Sequence, residues 1–422
     1  MSPSIAERAP WLAEPALQRL LAALSDGGEE ARIAGGAVRN TLLGEPVTDI
    51  DIATTTPPDE TMARVAAAGF RAVPTGYEHG TVTAVVEGRG YEVTTLRADV
   101  ETHGRHATVR FGRDWKQDAE RRDFTINALY AAADGTVIDL VGGLADLERR
   151  TLRFIGSAEA RIREDYLRIL RFFRFFAWYG DGRPDAEGLK ACARLKDGLA
   201  GLSAERVWSE LRRLLGAPDP SRALLWMRQT GVLTAVLPES EKWGIDAIHP
   251  LVEAERALGW AVDPMLRLEA VVPPDAARME ALARRLKMAR AEADRLTRWA
   301  MADTPTPALS TAALRRLAYR GDRQALADRL RLAAAAARGR AADDGAALEA
   351  AAGHLRQLDA LAGWQPPRFP VTGKDLAGLG VPPGPGMGAL LAELEGAWLD
   401  SDFTLDRAAL LARAAETAGG SD

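Results

Sequence analysis

The chain has 422 residues, 47% hydrophobic, 27% charged and 6% aromatic, enough for two to four packed units at about 100–200 residues each. One cysteine, Cys192, excludes a disulfide framework and cysteine-built zinc or iron–sulfur sites, and the five histidines form neither a His-Asp dipeptide nor a His-Glu-x-x-His pattern, against the usual histidine-built metallohydrolases. The 54 Lys+Arg against 59 Asp+Glu give a net charge of −5, which if evenly spread would exclude a nucleic-acid partner, yet residues 149–174 hold eight arginines against Glu159, Glu164 and Asp165, a local +5.

No stretch approaches about 18 uninterrupted apolar residues, and the opening Met-Ser-Pro-Ser-Ile-Ala-Glu has no basic region followed by an apolar core. A cytoplasmic protein without membrane contact is expected. Residues 1–30 read as an N-terminal helix. From Arg32 to about Leu140, short β-branched runs are punctuated by Gly and Pro: Arg32–Gly36, Val47–Ala53, Thr81–Val86 and Tyr91–Leu96. Glu87-Gly-Arg-Gly90 predicts a hairpin turn between the last two, and Ala37–Leu43 and Asp59–Ala68 predict helices between strands, a mixed α/β domain. From about Ala158 the pattern is helical, with breaks at 180–184, 217–220 and 272–275. The alanine-rich run Leu332–Ala351 reads as one surface-packed helix.

Gly35-Gly36-Ala-Val-Arg39 is followed by Asp49-Ile-Asp51. On a strand, Asp49 and Asp51 project to one face and Ile50 and Ile52 to the other. Two carboxylates on one face invite a hard divalent cation such as Mg²⁺, completed by substrate phosphates. Gly35 and Gly36 leave backbone N–H groups at a helix start free to meet phosphate, with Arg39 nearby. Asp-x-Asp alone equally describes a solvated strand face; with the Gly-Gly-x-x-Arg element upstream, the metal and triphosphate reading leads. Neither the Rossmann nor the Walker A spacing is present. Glu92, in the second hairpin strand, is the candidate third carboxylate for nucleotidyl transfer.

Asp118-Ala-Glu-Arg121-Arg122-Asp123-Phe-Thr-Ile-Asn127 offers adjacent arginines for polyphosphate and an Asp and Asn for ribose hydroxyls, although a charged helix start explains Asp118 and Glu120 as well. Further on, Asp165, Arg168, Arg171 and Arg174 recur every three residues and predict a polar stripe along a largely buried helix spanning 161–174. A carboxylate and guanidinium together match the Watson–Crick edges of cytosine and adenine, and a Glu164–Arg168 salt bridge is compatible with that role.

These ordered motifs resemble the class II tRNA nucleotidyltransferases (CCA-adding enzymes) and the related bacterial poly(A) polymerases. The likeness rests on Gly-Gly-x-Val-Arg with Asp49-x-Asp51, Arg121-Arg122-Asp123-Phe-Thr-Ile-Asn127, Asp139-Leu-Val-Gly-Gly-Leu-Ala-Asp146, Glu164-Asp165-x-x-Arg168, Ser203-Ala-Glu205-Arg206-Val-Trp-Ser-Glu210 and Thr372-Gly-Lys-Asp with Pro382–Gly388. It implies an α+β chain: a nucleotidyltransferase α/β head at 31–147, then an all-helical neck at 148–216 that selects nucleotides and a helical body and tail at 217–422 that bind tRNA. It further implies addition of C, C and A to the tRNA 3′ end from CTP and ATP, with pyrophosphate released. By motif match, Asp49 and Asp51 bind Mg²⁺ and, with Glu92, are catalytic. The nucleotide site is then Gly35, Gly36, Arg39, Arg121, Arg122, Asp123, Asn127, Glu164, Asp165, Arg168, Arg171 and Arg174, with Asp165 and Arg168 as the protein template for C or A.

Two positions depart from the family pattern: Asn40 where Asp is common and Tyr166 where Pro is common. The alternatives are a poly(A) polymerase, a CC-only or A-only enzyme, and a catalytically silent RNA-binding scaffold. Gly76-Tyr-Glu-His-Gly80-Thr-Val favours the CCA-adding branch. Ala98–Lys116 is expected as a loop that could govern the switch from C to A. Arg284, Arg285, Lys287 and Arg290 are candidates for tRNA contact, with a solvated helix face equally compatible.

Overall fold

A computed structural model describes residues 3–103, 106–241 and 243–419. The expected β-branched runs become the middle of a seven-stranded sheet. Its strands are β1 (Ala31–Ala34), β2 (Asp51–Thr54), β3 (Arg71–Gly76), β4 (Thr81–Val86), β5 (Arg89–Thr95), β8 (Leu129–Ala131) and β9 (Val137–Asp139), in the order β3-β4-β5-β2-β1-β8-β9. All neighbours pair antiparallel except β2 and β5, which run parallel with Asp51 opposite Glu92. The β4–β5 turn is the two-residue Glu87-Gly88, both at positive φ (51° and 86°), whose twist suits a hairpin.

Three expectations for this half need correction. β2 starts at Asp51, so Asp49 lies in the segment entering the strand; the alternation survives, with Ile50 and Ile52 buried and both aspartates exposed. The expected loop after residue 98 is a separate antiparallel ribbon, β6 (Arg97–His103) with β7 (His106–Phe111), followed by the helix Trp115–Glu120. The first thirty residues hold two 3₁₀ turns before the helix Pro15–Leu24 and join the sheet's edge, Ile5 N–H donating to Gly135 O (2.9 Å) and Val137 N–H to Pro3 O (2.8 Å).

The chain forms two compact units, Met1–Glu241 and Lys242–Asp422. In the first, the sheet is continued by helices Ala158–Glu164, Leu167–Tyr179, Ala186–Leu195 and Ala204–Leu215. The expected single helix over 161–174 is therefore two, broken at Asp165-Tyr166. Asp165 is extended (φ −154°, ψ 108°) and its Oδ1 accepts from Leu167 N–H at 3.1 Å, capping the start of the second helix. Phe124 meets Phe172 and Phe175 of that helix with centroids 6.2 and 5.4 Å apart, Phe154 stacks on Phe172 at 5.4 Å, and this aromatic contact fixes the helix against the sheet-bearing part.

The second unit is helical throughout its described residues. Leu332–Ala351 is not one helix: it crosses the turn between Arg323–Arg340 and Gly345–Ala362, where Asp344 accepts from Ala346 N–H (3.0 Å) and Ala347 N–H (3.2 Å) and starts the second helix. Its small side chains let the two helices approach closely, burying Ala334, Ala335, Ala337, Ala347 and Ala351. Deeper in this unit Arg295 serves two carboxylates, Asp328 (2.9 and 3.0 Å) and Asp263 (2.5 Å), while both carboxyl oxygens of nearby Glu269 are buried without a hydrogen-bond partner. Among the described residues no helix is long and apolar enough to cross a membrane.

Candidate functional site

A cleft of about 520 Å³ in the first unit is lined by Gly35, Gly36, Arg39 and Asp51 on the sheet side, by Arg121, Arg122, Asp123 and Asn127 from the segment before β8, and by Asp165, Arg168, Arg171 and Arg206 from the helices. Eleven of the fifteen residues singled out in the sequence thus share one cavity. Glu92, Glu164, Arg174 and Asp49 lie outside its lining; Glu92 stands opposite Asp51 in the sheet and Glu164 accepts from Arg168.

Gly35 has φ 64° and ψ −111°, and a Cβ there would stand 3.2 Å from Arg122 Nη1 and 3.3 Å from Asn127 O, so only glycine allows this turn into the helix Gly36–Leu43. That helix buries Arg39 in the cleft wall. Its Nε and Nη2 donate to Asn40 Oδ1 (3.1 and 2.9 Å), Nη1 donates to Asn127 Oδ1, and Nη2 donates to Tyr179 Oη (2.8 Å), with the Tyr179 ring 4.0 Å away. Asn40, the departure from the family pattern, therefore holds Arg39 through a neutral acceptor, and its own amide is anchored on Pro46 O (2.8 Å). The partners that hydrogen-bond Arg39 are all uncharged, so its positive charge stays available to an anion in the cleft.

Opposite, Asp51 and Glu92 sit side by side on parallel strands. Desolvation in the cleft raises the Asp51 carboxyl above the usual range; the charges of Glu92 and Asp49 add to this and Arg122 opposes it. Crowded hard-oxygen acids of this kind fit a divalent cation. Among the described residues no group of three or more His, Cys, Asp or Glu side chains converges into a metal cage.

The arginine wall is organised by residues whose role the sequence did not reveal. Asp118, only 1% exposed, accepts from Arg121 Nε (2.7 Å), Arg122 Nη2 (3.1 Å) and Tyr130 Oη (2.7 Å). Burial alone would raise its carboxyl, but the charges of Arg122 and Arg121 and these hydrogen bonds outweigh it and hold it below the usual carboxylate value. Asp123 Oδ1 accepts from Phe124 N–H (2.9 Å) and Asn127 Nδ2 (3.0 Å), and its Oδ2 accepts from Arg171 Nε (2.8 Å) and Nη2 (2.5 Å). The chain of contacts runs on to Glu210, which takes Arg174 Nε at 2.5 Å and lies 3.9 Å from Arg171 Nη1. Behind this wall Asp139 accepts from Val141, Gly142, Gly143 and Leu144 N–H (2.9–3.1 Å), and Asp146 accepts from Thr125 Oγ1 (2.6 Å) and Arg153 Nε (3.0 Å), buttressing the segment.

Glu164 binds Arg161 (2.9 Å) and Arg168 across the helix break, and Arg168 Nη1 also donates to Arg161 O at 2.9 Å. Asp165 is paired with Arg206 (2.6 Å), and Tyr166, the second departure, packs its ring directly over Gly198. The spacing of Asp118 from Arg121 and Arg122 was a readable signal for a helical ion pair. Arg206, Glu210, Tyr130 and Tyr179 meet their partners only through the tertiary fold.

A mixed sheet carrying paired carboxylates against an arginine-lined cleft defines a nucleotidyltransferase, and residues 31–153 match the family described as "Poly A polymerase head domain", with 183–243 matching "Probable RNA and SrmB- binding site of polymerase A". Along 411 residues the chain is 36% identical to CCA tRNA nucleotidyltransferase 1, mitochondrial, of Danio rerio (90% of this chain, 86% of the relative), and along 224 residues 42% identical to the CCA-adding enzyme of Geobacillus thermodenitrificans (52% and 54%). The crystal structure of the Bacillus stearothermophilus CCA-adding enzyme in complex with CTP superposes with a TM-score of 0.75 at 28% identity, covering 96% of this chain and 97% of that one. The chain belongs to the CCA tRNA nucleotidyltransferase family. Members of this nucleotidyltransferase family use divalent metal ions.

Proposed function

We propose that this protein extends tRNA 3′ ends by C, C and A from CTP and ATP without a nucleic-acid template. The observation that carries this reading is the convergence of Asp165 and Arg168 with Arg39, Asp51 and Arg122 on one cleft: a base-reading pair and a phosphate-binding wall share the space that one nucleotide fills. The expected division of labour follows, with residues 31–147 catalytic, 148–216 selecting the nucleotide and 217–422 holding tRNA.

Arg39, Arg121 and Arg122 with the backbone of Gly35 and Gly36 hold the triphosphate, and Asp123 and Asn127 hold the ribose. Asp165 accepts from the amino group that cytosine and adenine share, and Arg168 donates to their ring acceptors. Arg171 and Arg174 line and stiffen the pocket, and Glu164 sets the position of Arg168. Asp49 and Asp51 are the residues that would hold Mg²⁺, which when bound polarises the α-phosphate and acidifies the attacking hydroxyl. The tRNA 3′-oxygen forms the new bond to the α-phosphorus as the bond to the β-phosphate oxygen breaks and pyrophosphate leaves; Glu92, opposite Asp51 on the paired strand, is the base that takes the hydroxyl proton in this reading. A cytoplasmic site of action is supported by the single buried thiol, Cys192.

The experiment is product length on tRNA lacking its 3′ CCA. Two added residues with CTP alone and three with CTP and ATP together support the reading. Long adenylate tails point to a poly(A) polymerase, and a product stopping at CC with both nucleotides points to a CC-only enzyme.

A further inference from the structure

Arg206 lies on the helix Ala204–Leu215, and its Nη2 donates to Asp165 Oδ2 at 2.6 Å. Both side chains are partly buried, 25% and 21% exposed, and both line the cleft beside Arg168 and Arg171. The other Asp165 oxygen is taken by Leu167 N–H at 3.1 Å. The carboxylate is thus fixed from two directions, once by its own backbone and once by a helix far along the chain. Its unused lone pairs keep one orientation toward the cavity.

We propose that Arg206 is the positioning residue that sets rejection of UTP and GTP; this rests on the reading of the cleft as a triphosphate site. Cytosine and adenine present an amino donor where uracil and guanine present a carbonyl oxygen. An ionised Asp165 accepts from the first pair and repels the second, provided it stays in place and no loose guanidinium offers the carbonyl a donor. The Asp165–Arg206 bond meets both conditions, because it fixes the acceptor and occupies a donor that would otherwise satisfy uracil O4 or guanine O6. Losing the arginine leaves Asp165 held by Leu167 N–H, free to turn from the base edge. Discrimination built on hydrogen bonds to a base edge is large because the wrong base leaves buried polar groups unpaired.

The test uses the full chain with tRNA lacking CCA for CTP against UTP, and tRNA ending in CC for ATP against GTP, and reads the ratios of kcat/KM. R206A is expected to lower both ratios by about tenfold or more, and R206K to recover part of the loss. If all four values fall together with the ratios unchanged, Arg206 supports the fold only and the proposal is overturned. Should R206A fail to melt cooperatively, the same ratios are read on R206K and R206Q, where a Gln variant as selective as the wild type overturns it. A wild-type protein that incorporates no CTP overturns the reading of the cleft itself, which separates the two failures.

Discussion

Arg171 donates Nε and Nη2 to one oxygen of Asp123, at 2.8 and 2.5 Å, tying the helix Leu167–Tyr179 to the segment that carries the arginine wall. Burial would raise the Asp123 carboxyl, but the Arg171 charge and the hydrogen bonds from Asn127, Arg171 and Phe124 hold it below the usual value. Its contribution to stability is therefore complete above the ordinary carboxylate pKa of 3.8 and is lost as pH falls through the lower folded value. With Arg171 nearly a third exposed, Asp123→Asn should cost about 2 kcal/mol at neutral pH, between exposed and buried pairs. Urea unfolding at pH 7 and pH 3 checks this, with the gap between wild type and variant narrowing in acid.

Asp118 holds two arginines and one tyrosine hydroxyl from full burial. Asp118→Asn removes the charge that pairs Arg121 and Arg122, so it should cost about 3 kcal/mol and raise KM for CTP more than it lowers kcat. Tyr130→Phe removes only the hydroxyl and should cost about 1 kcal/mol with KM little changed. Denaturant melts and initial rates on both variants test the difference.

In the second unit, Glu269 is buried beside Asp328 and Asp263, and burial followed by the Asp328 charge raises its carboxyl well above its ordinary 4.5. A raised folded pKa means the unfolded chain releases its proton first, so folding is increasingly opposed as pH rises above 4.5. Glu269→Gln removes that dependence. The melting temperature of the variant minus that of the wild type should grow as pH rises above 4.5, followed by differential scanning fluorimetry; a constant difference would contradict it.

A Cβ added at Gly198 would strike the Tyr166 ring. Gly198→Ala should cost about 1–3 kcal/mol by overpacking. Combined with Tyr166→Ala, the two substitutions should cost less than their sum by at least about 0.5 kcal/mol in a double-mutant cycle.

The sequence made the catalytic half legible where local chemistry decides structure. Gly35 had to be glycine for its turn, the β4–β5 hairpin followed from Glu87-Gly88, and the alternation at 49–52 placed two acids on one side. The breaks at 180–184, 217–220 and 272–275 all fall between observed helices because Gly and Pro act locally. The interruption at Asp165 has no local signature, because residues 161–174 carry a sound helical pattern and no Gly or Pro; what ends the first helix is the Asp165 carboxylate bonding Leu167 N–H and Arg206. The ribbon β6–β7 is not legible in the sequence because its polar, alternating residues include few apolar ones to signal a strand. Glu210 and Tyr179 acquire meaning only when folding brings them to Arg174 and Arg39.

Incorporation of labelled CTP into tRNA lacking its 3′ CCA, compared for wild type, Asp49→Ala and Asp51→Ala at saturating Mg²⁺, decides whether this cleft performs the transfer. The wild type is expected to add two residues and each variant to lose at least about a thousandfold in rate, both still melting cooperatively. Full incorporation by either variant would contradict it.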